Sequence, residues 1–271
     1  MNEIVYININ KDEFVNSSRP LYKHMSLNNA LRTLNKHFIW FSNPTEWKDP
    51  FEGRFLTAKY HRGNEILDFP WVNRVYCTCV TLTASSEAFW TPYSQNQIAI
   101  ELRINRQQLI TELESYLDKY DIYVGKVNYQ QTDVITGELH TIPFTTNILH
   151  PFSEMWCAEL LLLKRNAYKY EDEVRIIIVE KQKKIKSDTD SIMTKPNVKK
   201  GIKVRFKCKN TDIIKDIVLD PSLERETEMM LKNVFEETYD FKPISNSAKA
   251  HRRVMKSGLY TKQKPKDLKL R

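Results

Sequence analysis

Three consecutive acidic residues and an arginine stand at the start of the most hydrophobic run of the chain. Glu171, Asp172 and Glu173 precede Val174, and Arg175 follows it. Because side chains two residues apart on a strand share a face, we expect Glu171 and Glu173 to point the same way as Arg175. Buried carboxylates are costly unless a cation pairs with them. The pattern therefore fits either catalytic carboxylates in a cleft or a structural ion pair at a sheet edge.

Three aromatic-rich segments supply further candidate contacts to a ligand. In one, Ser42 ends an aromatic run and precedes a polar loop that two prolines hold extended, a loop able to position a hydroxyl or phosphate. The second surrounds His24, and the third is Phe89 to Ser94, whose rings can stack on a planar group. Each segment also fits a structural role, with the aromatic rings and the histidine belonging to the core.

No established catalytic motif accompanies these segments. The chain has no Walker A sequence, no G-x-G-x-x-G, no H-E-x-x-H and no G-x-S-x-G. Its four cysteines form no C-x-x-C pair, so we expect neither a metal site nor a disulfide framework. No hydrophobic N-terminal segment and no apolar run long enough to span a bilayer are present, which predicts a cytoplasmic protein without membrane contact.

Hydrophobic periodicity predicts helices and strands in an irregular order. Helices are expected behind Ser26, Asn105, Ser153 and Ser222. Strands are expected at 38–41, 76–82, 97–103, 122–129, 174–179, 202–208 and 213–219. The run at 174–179, apolar apart from Arg175, is typical of a central strand covered on both faces. Because no regular βαβ alternation occurs, the pattern indicates an α+β fold.

Positive charge is concentrated in the C-terminal third of the chain. Residues 1–180 carry 18 basic and 22 acidic side chains, whereas residues 181–271 carry 24 and 12. With 41% hydrophobic residues, the 271-residue chain can form a packed core. We predict a single α+β domain at 1–244 with a basic loop insertion at 181–200, and a basic, flexible tail at 245–271.

The charge distribution predicts a polyanionic partner, nucleic acid above all. The residues predicted to contact its phosphates are Lys199, Lys200, Arg252, Arg253 and Lys256.

Taken in order, the motifs resemble a widespread bacterial family long labelled only as a domain of unknown function. Its members share a tyrosine-lysine start, a tryptophan-phenylalanine-serine strand, an aspartate-proline-phenylalanine loop and a late glutamate-x-glutamate-x-arginine strand. The matching residues here are Leu21 to Lys23, Trp40 to Ser42, Asp49 to Glu52, Cys77, Trp90, Tyr93, Lys164 and Tyr170 to Arg175. The match covers residues 20 to 220 and departs from the family pattern at Pro92 and Gln95.

That family's layout is similar to compact NAD-dependent ADP-ribosyltransferases. The resemblance implies a compact split, mixed or antiparallel sheet with flanking helices, and NAD as the substrate. Positive charge develops on the ribose as nicotinamide leaves, and a nearby carboxylate stabilises that state. Carried over by residue, the resemblance implies catalytic roles for Glu173, Glu171 and Tyr22 or His24. It implies contacts to the nicotinamide riboside from Ser42, Phe41, Trp90, Tyr93 and Arg175.

Three functions follow from these patterns. The first is an ADP-ribosyltransferase, a bacterial toxin or antiphage defence effector that modifies RNA or DNA. The second is a nucleic-acid-binding module without catalysis, in which the loop at 181–200 and the tail contact phosphates. The third is a scaffold whose basic tail binds an acidic partner such as an antitoxin or a chaperone.

Overall fold

The computed structural model describes residues 3–62, 64–69, 71–84, 87–94, 97–131, 154–181, 199–208, 210–239, 241, 253–257 and 259. The strands are β1 (Val5–Ile7), β2 (Leu21–Ser26), β3 (Phe38–Ser42), β4 (Lys59–Arg62), β5 (Glu65–Asp68), β6 (Val75–Thr81), β7 (Ala99–Ile104), β8 (Tyr120–Lys126), β9 (Asn128–Gln130), β10 (Leu163–Arg165), β11 (Glu173–Glu180), β12 (Gly201–Arg205), β13 (Ile214–Leu219) and β14 (Arg253–Lys256). The helices are α1 (Lys11–Val15), α2 (Leu27–Lys36), α3 (Pro50–Thr57), α4 (Glu87–Ser94), α5 (Arg106–Glu114), α6 (Glu154–Leu160), α7 (Asn210–Ile213) and α8 (Arg225–Tyr239), with 3-10 helices at Pro44–Glu46 and Asn166–Glu171.

Ten strands form one mixed, largely antiparallel sheet. Eight follow the order β1-β8-β11-β6-β2-β7-β13-β14, while β12 pairs with β3, and β3 with β6. β11 lies antiparallel between β8 and β6, and residues 174–179 are buried, as the apolar run predicted. The pairs of β1 with β8 and of β13 with β14 are parallel. Helices pack against this sheet, so the predicted α+β class is confirmed.

Strand β6 is the point where the sheet divides. One of its edges pairs with β11 along its whole length. Its other edge meets two different strands, each at one position, with Tyr22 of β2 opposite Thr81 and Ser42 of β3 opposite Cys77. Between those two contacts β2 and β3 separate, and Thr78 borders the gap that opens there. We call this gap the fork.

Two apolar layers cover the opposite faces of the sheet. Val174 and Ile176 belong to a layer that includes side chains of α2, α5 and α8. Ile177 belongs to a second layer, formed with α3 and α6. Because successive side chains on a strand point to opposite faces, Glu173 and Arg175 share the face of Ile177. The two charged side chains therefore emerge on the α3 and α6 side of the sheet.

Part of the predicted tail belongs to the sheet. Residues 253–256 form β14, an edge strand parallel to β13, and Val254 is buried in the main apolar layer. The prediction of a flexible tail was wrong for these residues, because Val254 and Met255 pack on opposite faces of the sheet. The remainder of 245–271, apart from 257 and 259, lies outside the described residues, as do residues 182–198 of the predicted basic loop.

Among the residues that the structure describes, no helix combines the length and the apolar character needed to cross a bilayer.

Candidate functional site

Two adjoining compartments open at the fork. The larger has a volume of about 620 Å³ and the smaller about 270 Å³, dimensions typical of small-molecule sites. His24, Cys79, Pro92 and Tyr93 border both compartments. These four residues therefore lie between the two compartments.

Five charged side chains form a buried network at the wall of the smaller compartment. Lys164 Nζ lies 2.5 Å from Glu171 Oε2, 2.7 Å from Glu173 Oε2 and 3.4 Å from Glu52 Oε1. Arg175 donates from Nε to Glu173 Oε1 at 2.7 Å and from Nη2 to Glu52 Oε2 at 2.6 Å. Three carboxylates thus share two cations, which leaves an excess negative charge when all five are ionised.

The surplus charge falls on Glu171, the most exposed of the three carboxylates. Burial raises the pKa of Glu171 to about 7, against the opposing effect of Lys164. Burial acts in the same direction on Glu173, but Arg175 and Lys164 outweigh it and hold the pKa of Glu173 below its usual range. Glu173 is therefore an ionised carboxylate, and Glu171 exchanges a proton near neutral pH.

The two carboxylates converge by a route that differs from the predicted strand alternation. Glu171 ends a 3-10 helix, and Asp172 takes the left-handed conformation, with φ 41°, before β11 begins at Glu173. Aspartate tolerates this conformation better than most residues. The Asp172 carboxylate pairs with Lys126 at 2.9 Å, which holds the turn in place. The turn brings both glutamates to the single ammonium of Lys164.

His24 lies where the compartments meet. Its ring stacks on Phe89 with centroids 5.0 Å apart and meets the edge of Trp90 at 5.1 Å. Its Nε2 lies 3.2 Å from the buried Glu101 carboxylate, which also pairs with Arg103. The imidazole is therefore fixed in orientation by helix α4 on one side and by β7 on the other.

The thiols beside the network are not activated. Burial raises the pKa of Cys79 well above its ordinary value, and Glu173 adds to the effect. Burial likewise raises the pKa of Cys77, although Arg175 opposes the shift. Because the thiolate is the nucleophilic form, neither cysteine is a nucleophile at neutral pH.

The structure gathers most of the sequence-predicted site residues and separates three of them. Glu171, Glu173, Tyr22, His24 and Tyr93 border the smaller compartment, and Ser42 borders the larger. The three remaining predicted cofactor contacts border neither compartment: Phe41, Trp90 and Arg175.

Each of those three has a structural position. Phe41 is buried in the main apolar layer, on the opposite face of the sheet from Glu173. Trp90 is buried behind His24 against Ala99. Arg175 is fully buried and also donates to the carbonyl of Leu161 at 2.7 Å. The structure therefore does not support direct ligand contacts for Phe41, Trp90 or Arg175.

The predicted phosphate contacts do not form one surface that the structure describes. Lys200 is exposed and lies 3.8 Å from Glu46, and Lys199 beside it is also exposed. Lys256 instead donates to the Leu223 carbonyl at 2.7 Å and pairs with Glu228 at 3.2 Å. Arg253 is described only as part of the β14 backbone, and Arg252 lies outside the described residues.

Sequence reasoning gave no role to Glu52, Lys164 or Trp47, which complete the site. Trp47 packs on the Arg175 guanidinium at 4.4 Å and donates from Nε1 to Ser42 Oγ at 3.1 Å. Glu52 lies in the α3 helix that Asp49 caps, and Asp49 is held by Arg165. The available signal was the aspartate-proline-phenylalanine-glutamate motif itself, because an N-cap followed by proline predicts a helix start.

Comparisons with family models, with curated proteins and with solved structures found no match to this chain. Among the described residues, no group of three or more histidine, cysteine, aspartate or glutamate side chains is arranged to hold a metal ion.

Proposed function

We propose that this chain is an NAD-dependent ADP-ribosyltransferase. The observation that carries the proposal is the position of Glu171, a partly exposed carboxylate that borders the same compartment as Tyr22, His24 and Tyr93. A split sheet with a glutamate pair at the wall of the cleft is the arrangement that the motif resemblance implies. The proposal includes kinship with the bacterial domain of unknown function that shares these motifs.

The residues present can serve each step of the proposed transfer. The bond between ribose C1′ and the nicotinamide nitrogen breaks, and its electron pair neutralises the nicotinamide ring. The acceptor forms a new bond to C1′ and gives its proton to Glu171, whose pKa of about 7 suits proton transfer at neutral pH. The network of three carboxylates and two cations carries one excess negative charge when Glu171 is ionised, and that charge stabilises the positive charge that develops on the ribose.

We assign the role of proton acceptor to Glu171, because the Glu173 carboxylate is already paired with Lys164 and Arg175. Both Glu173 oxygens are bonded to cations, and its side chain is 4% exposed, against 22% for Glu171. Glu171 is therefore the carboxylate that reaches a substrate. Glu173 acts mainly as a fixed charge that also orients Lys164.

Nucleic acid as the acceptor rests on the basic C-terminal third of the chain. The exposed Lys199 and Lys200 are available to phosphates, whereas Lys256 is occupied by Glu228. We therefore place the non-catalytic nucleic-acid-binding module second to the transferase.

The test is to incubate the full chain with NAD labelled in its adenylate phosphate, together with separate pools of RNA, DNA and protein. Wild type is expected to label one pool, and Glu171→Gln to lower the labelling rate by roughly 100-fold or more, the usual effect of losing a general base. Glu226→Gln, an exposed change on α8, is the matched control and is expected to keep full activity.

Two results would contradict the proposal. Full labelling by Glu171→Gln would show that Glu171 is not the general base. Binding of nucleic acid by wild type with no labelled product would instead favour the non-catalytic module. Glu173→Gln is a weaker probe, because loss of a buried paired charge also lowers stability.

A further inference from the structure

The two compartments at the fork differ in the charges that border them. The smaller is bordered by Glu171 and Glu173 and by Lys164, which pairs with both carboxylates. The larger is bordered by Lys23, Arg32 and Lys48, and by no aspartate or glutamate among its described lining residues. An acid-free compartment with three cations favours an anionic group of a ligand.

Two side chains that border the larger compartment, Thr78 and Lys23, have hydrogen-bond donors available to a ligand. Thr78 is 3% exposed, and its Oγ1 is buried without a hydrogen-bond partner among the described residues. Lys23 Nζ donates to the Cys79 carbonyl at 2.9 Å, while an ammonium has three donors. A buried hydroxyl without a partner is unfavourable in the free protein, and a ligand oxygen that accepts from it removes that cost.

Lys23 and Thr78 lie at the fork because of how the strands pair. Lys23 follows Tyr22, the residue of β2 that pairs with β6. Thr78 follows Cys77, the residue of β6 in contact with β3. Both side chains therefore border the opening between the two strands, where none of the described strands pairs with the edge of β6.

Aromatic rings form another part of the same compartment. Trp40, Trp47 and Tyr93 all border it, and Trp40 is 41% exposed. Trp40 lies close over β12 at Gly201, where a β-carbon would stand 2.5 Å from the Trp40 ring. Exposed aromatic rings next to cations are suited to a planar base attached to phosphate.

We propose that the larger compartment binds a nucleoside diphosphate moiety, with Lys23 and Thr78 contacting its phosphates and Trp40 contacting its base. This inference rests on the proposed function in one respect, since a dinucleotide would place its other half beside Glu171. The larger compartment alone would bind ADP, which has no nicotinamide and undergoes no transfer.

The experiment measures binding of ADP, adenosine and inorganic pyrophosphate to the full chain by calorimetry. ADP is expected to bind, and adenosine to bind at least tenfold more weakly because it lacks the phosphates. Lys23→Met is expected to weaken ADP binding roughly tenfold or more, since hydrogen bonds to charged groups are among the stronger ones. Lys36→Met, an exposed change near the end of α2, is the matched control and is expected to bind as wild type does.

Thr78→Val separates a ligand contact from a structural role. Valine has nearly the shape of threonine without the unpartnered hydroxyl, so the thermal midpoint is expected to stay the same or rise. ADP binding is expected to weaken roughly tenfold or more, the loss of one hydrogen bond to a charged group. A lowered thermal midpoint with unchanged ADP affinity would overturn the assignment of Thr78.

Failure of this inference is distinguishable from failure of the proposed function. If ADP binds and both cleft variants weaken it, but NAD is never consumed, the nucleotide site stands and the transferase does not. If NAD labels an acceptor while Lys23→Met and Thr78→Val keep the wild-type KM, the transferase stands and the nucleotide site is overturned. Absence of ADP binding at millimolar concentration, or binding of an oligonucleotide in its place, also overturns the inference.

Discussion

The two most highly charged regions of the chain differ in how their charges are held. Around Lys164, three carboxylates and two cations, all buried except the partly exposed Glu171, are bonded to one another across three segments of the chain. In the C-terminal third, positive charges outnumber negative ones two to one, and among the described residues Lys256 is held by one carbonyl and one partly exposed carboxylate. The excess positive charge of the chain therefore lies in its C-terminal third, whereas the bonded charge network lies around Lys164.

The difference matters because burial changes what a charge can do. Charges in a low-dielectric interior interact several times more strongly than charges in water, and their pKa values shift accordingly. A surface lysine acts through long-range attraction, which salt screens. The buried network can therefore shift the protonation states of its own members, whereas exposed lysines act through long-range attraction.

Of the predicted substitutions, Arg175→Met is expected to cause the largest loss of unfolding free energy. The substitution leaves Glu52 and Glu173 buried with only Lys164 to neutralise them, and loss of one partner from a buried ion pair costs about 3–5 kcal/mol. The free energy of unfolding, measured in urea, is expected to fall by that amount. Arg225→Met, an exposed change at the start of α8, is the control and is expected to cost less than about 0.5 kcal/mol. Equal losses in the two variants would show that the buried network is no more important than the surface.

Titration of Glu171 is expected to have the next largest effect. Its pKa is raised to about 7 in the folded chain, so between about pH 4.5 and pH 7 the folded state holds a proton that the unfolded state has released. The stability contributed by this group therefore decreases as pH rises through that window. Glu173 does not interfere, because its lowered pKa makes its contribution vary only at lower pH.

Glu171→Gln removes that dependence. Compared with wild type, the variant is expected to gain on the order of 2 kcal/mol of relative stability between pH 4.5 and pH 7, for a shift of this size in a partly exposed group. Urea unfolding of both proteins across that pH range measures the difference. Parallel pH profiles for the two proteins would contradict the raised pKa.

The sequence allowed prediction of site contacts between residues close along the chain, but not of contacts between residues far apart along it. The spacing of Glu173 and Arg175 on one strand predicted their ion pair, whereas Glu171 meets Glu173 at Lys164 through the turn at Asp172 and not through strand alternation. Their contact with Glu52 spans 123 residues and depends on where α3 lies relative to β11. No periodicity in the chain encodes that relation.

The same distinction applies to the fold: strands were predictable from local patterns, but their pairing was not. The central strand followed from a run that is apolar apart from Arg175, whereas the fork depends on β2 and β3 pairing with different positions on one edge of β6. Strand β14 was missed because Val254 and Met255 stand among basic residues, and a strand of four residues leaves too short a pattern to detect.

Lys256→Met is expected to have the smallest effect on stability and tests the charges of the C-terminal third. Its side chain bonds to Leu223 and Glu228 at the sheet edge, so its loss is expected to cost about 0.5–1 kcal/mol of unfolding free energy, the usual value for a partly exposed pair. Lys199→Met, on an exposed lysine, is expected to leave stability unchanged and to lower the salt dependence of any nucleic-acid binding by about one phosphate contact. If Lys256→Met instead leaves stability unchanged and weakens nucleic-acid binding, Lys256 is a phosphate contact after all, and the basic surface extends to β14.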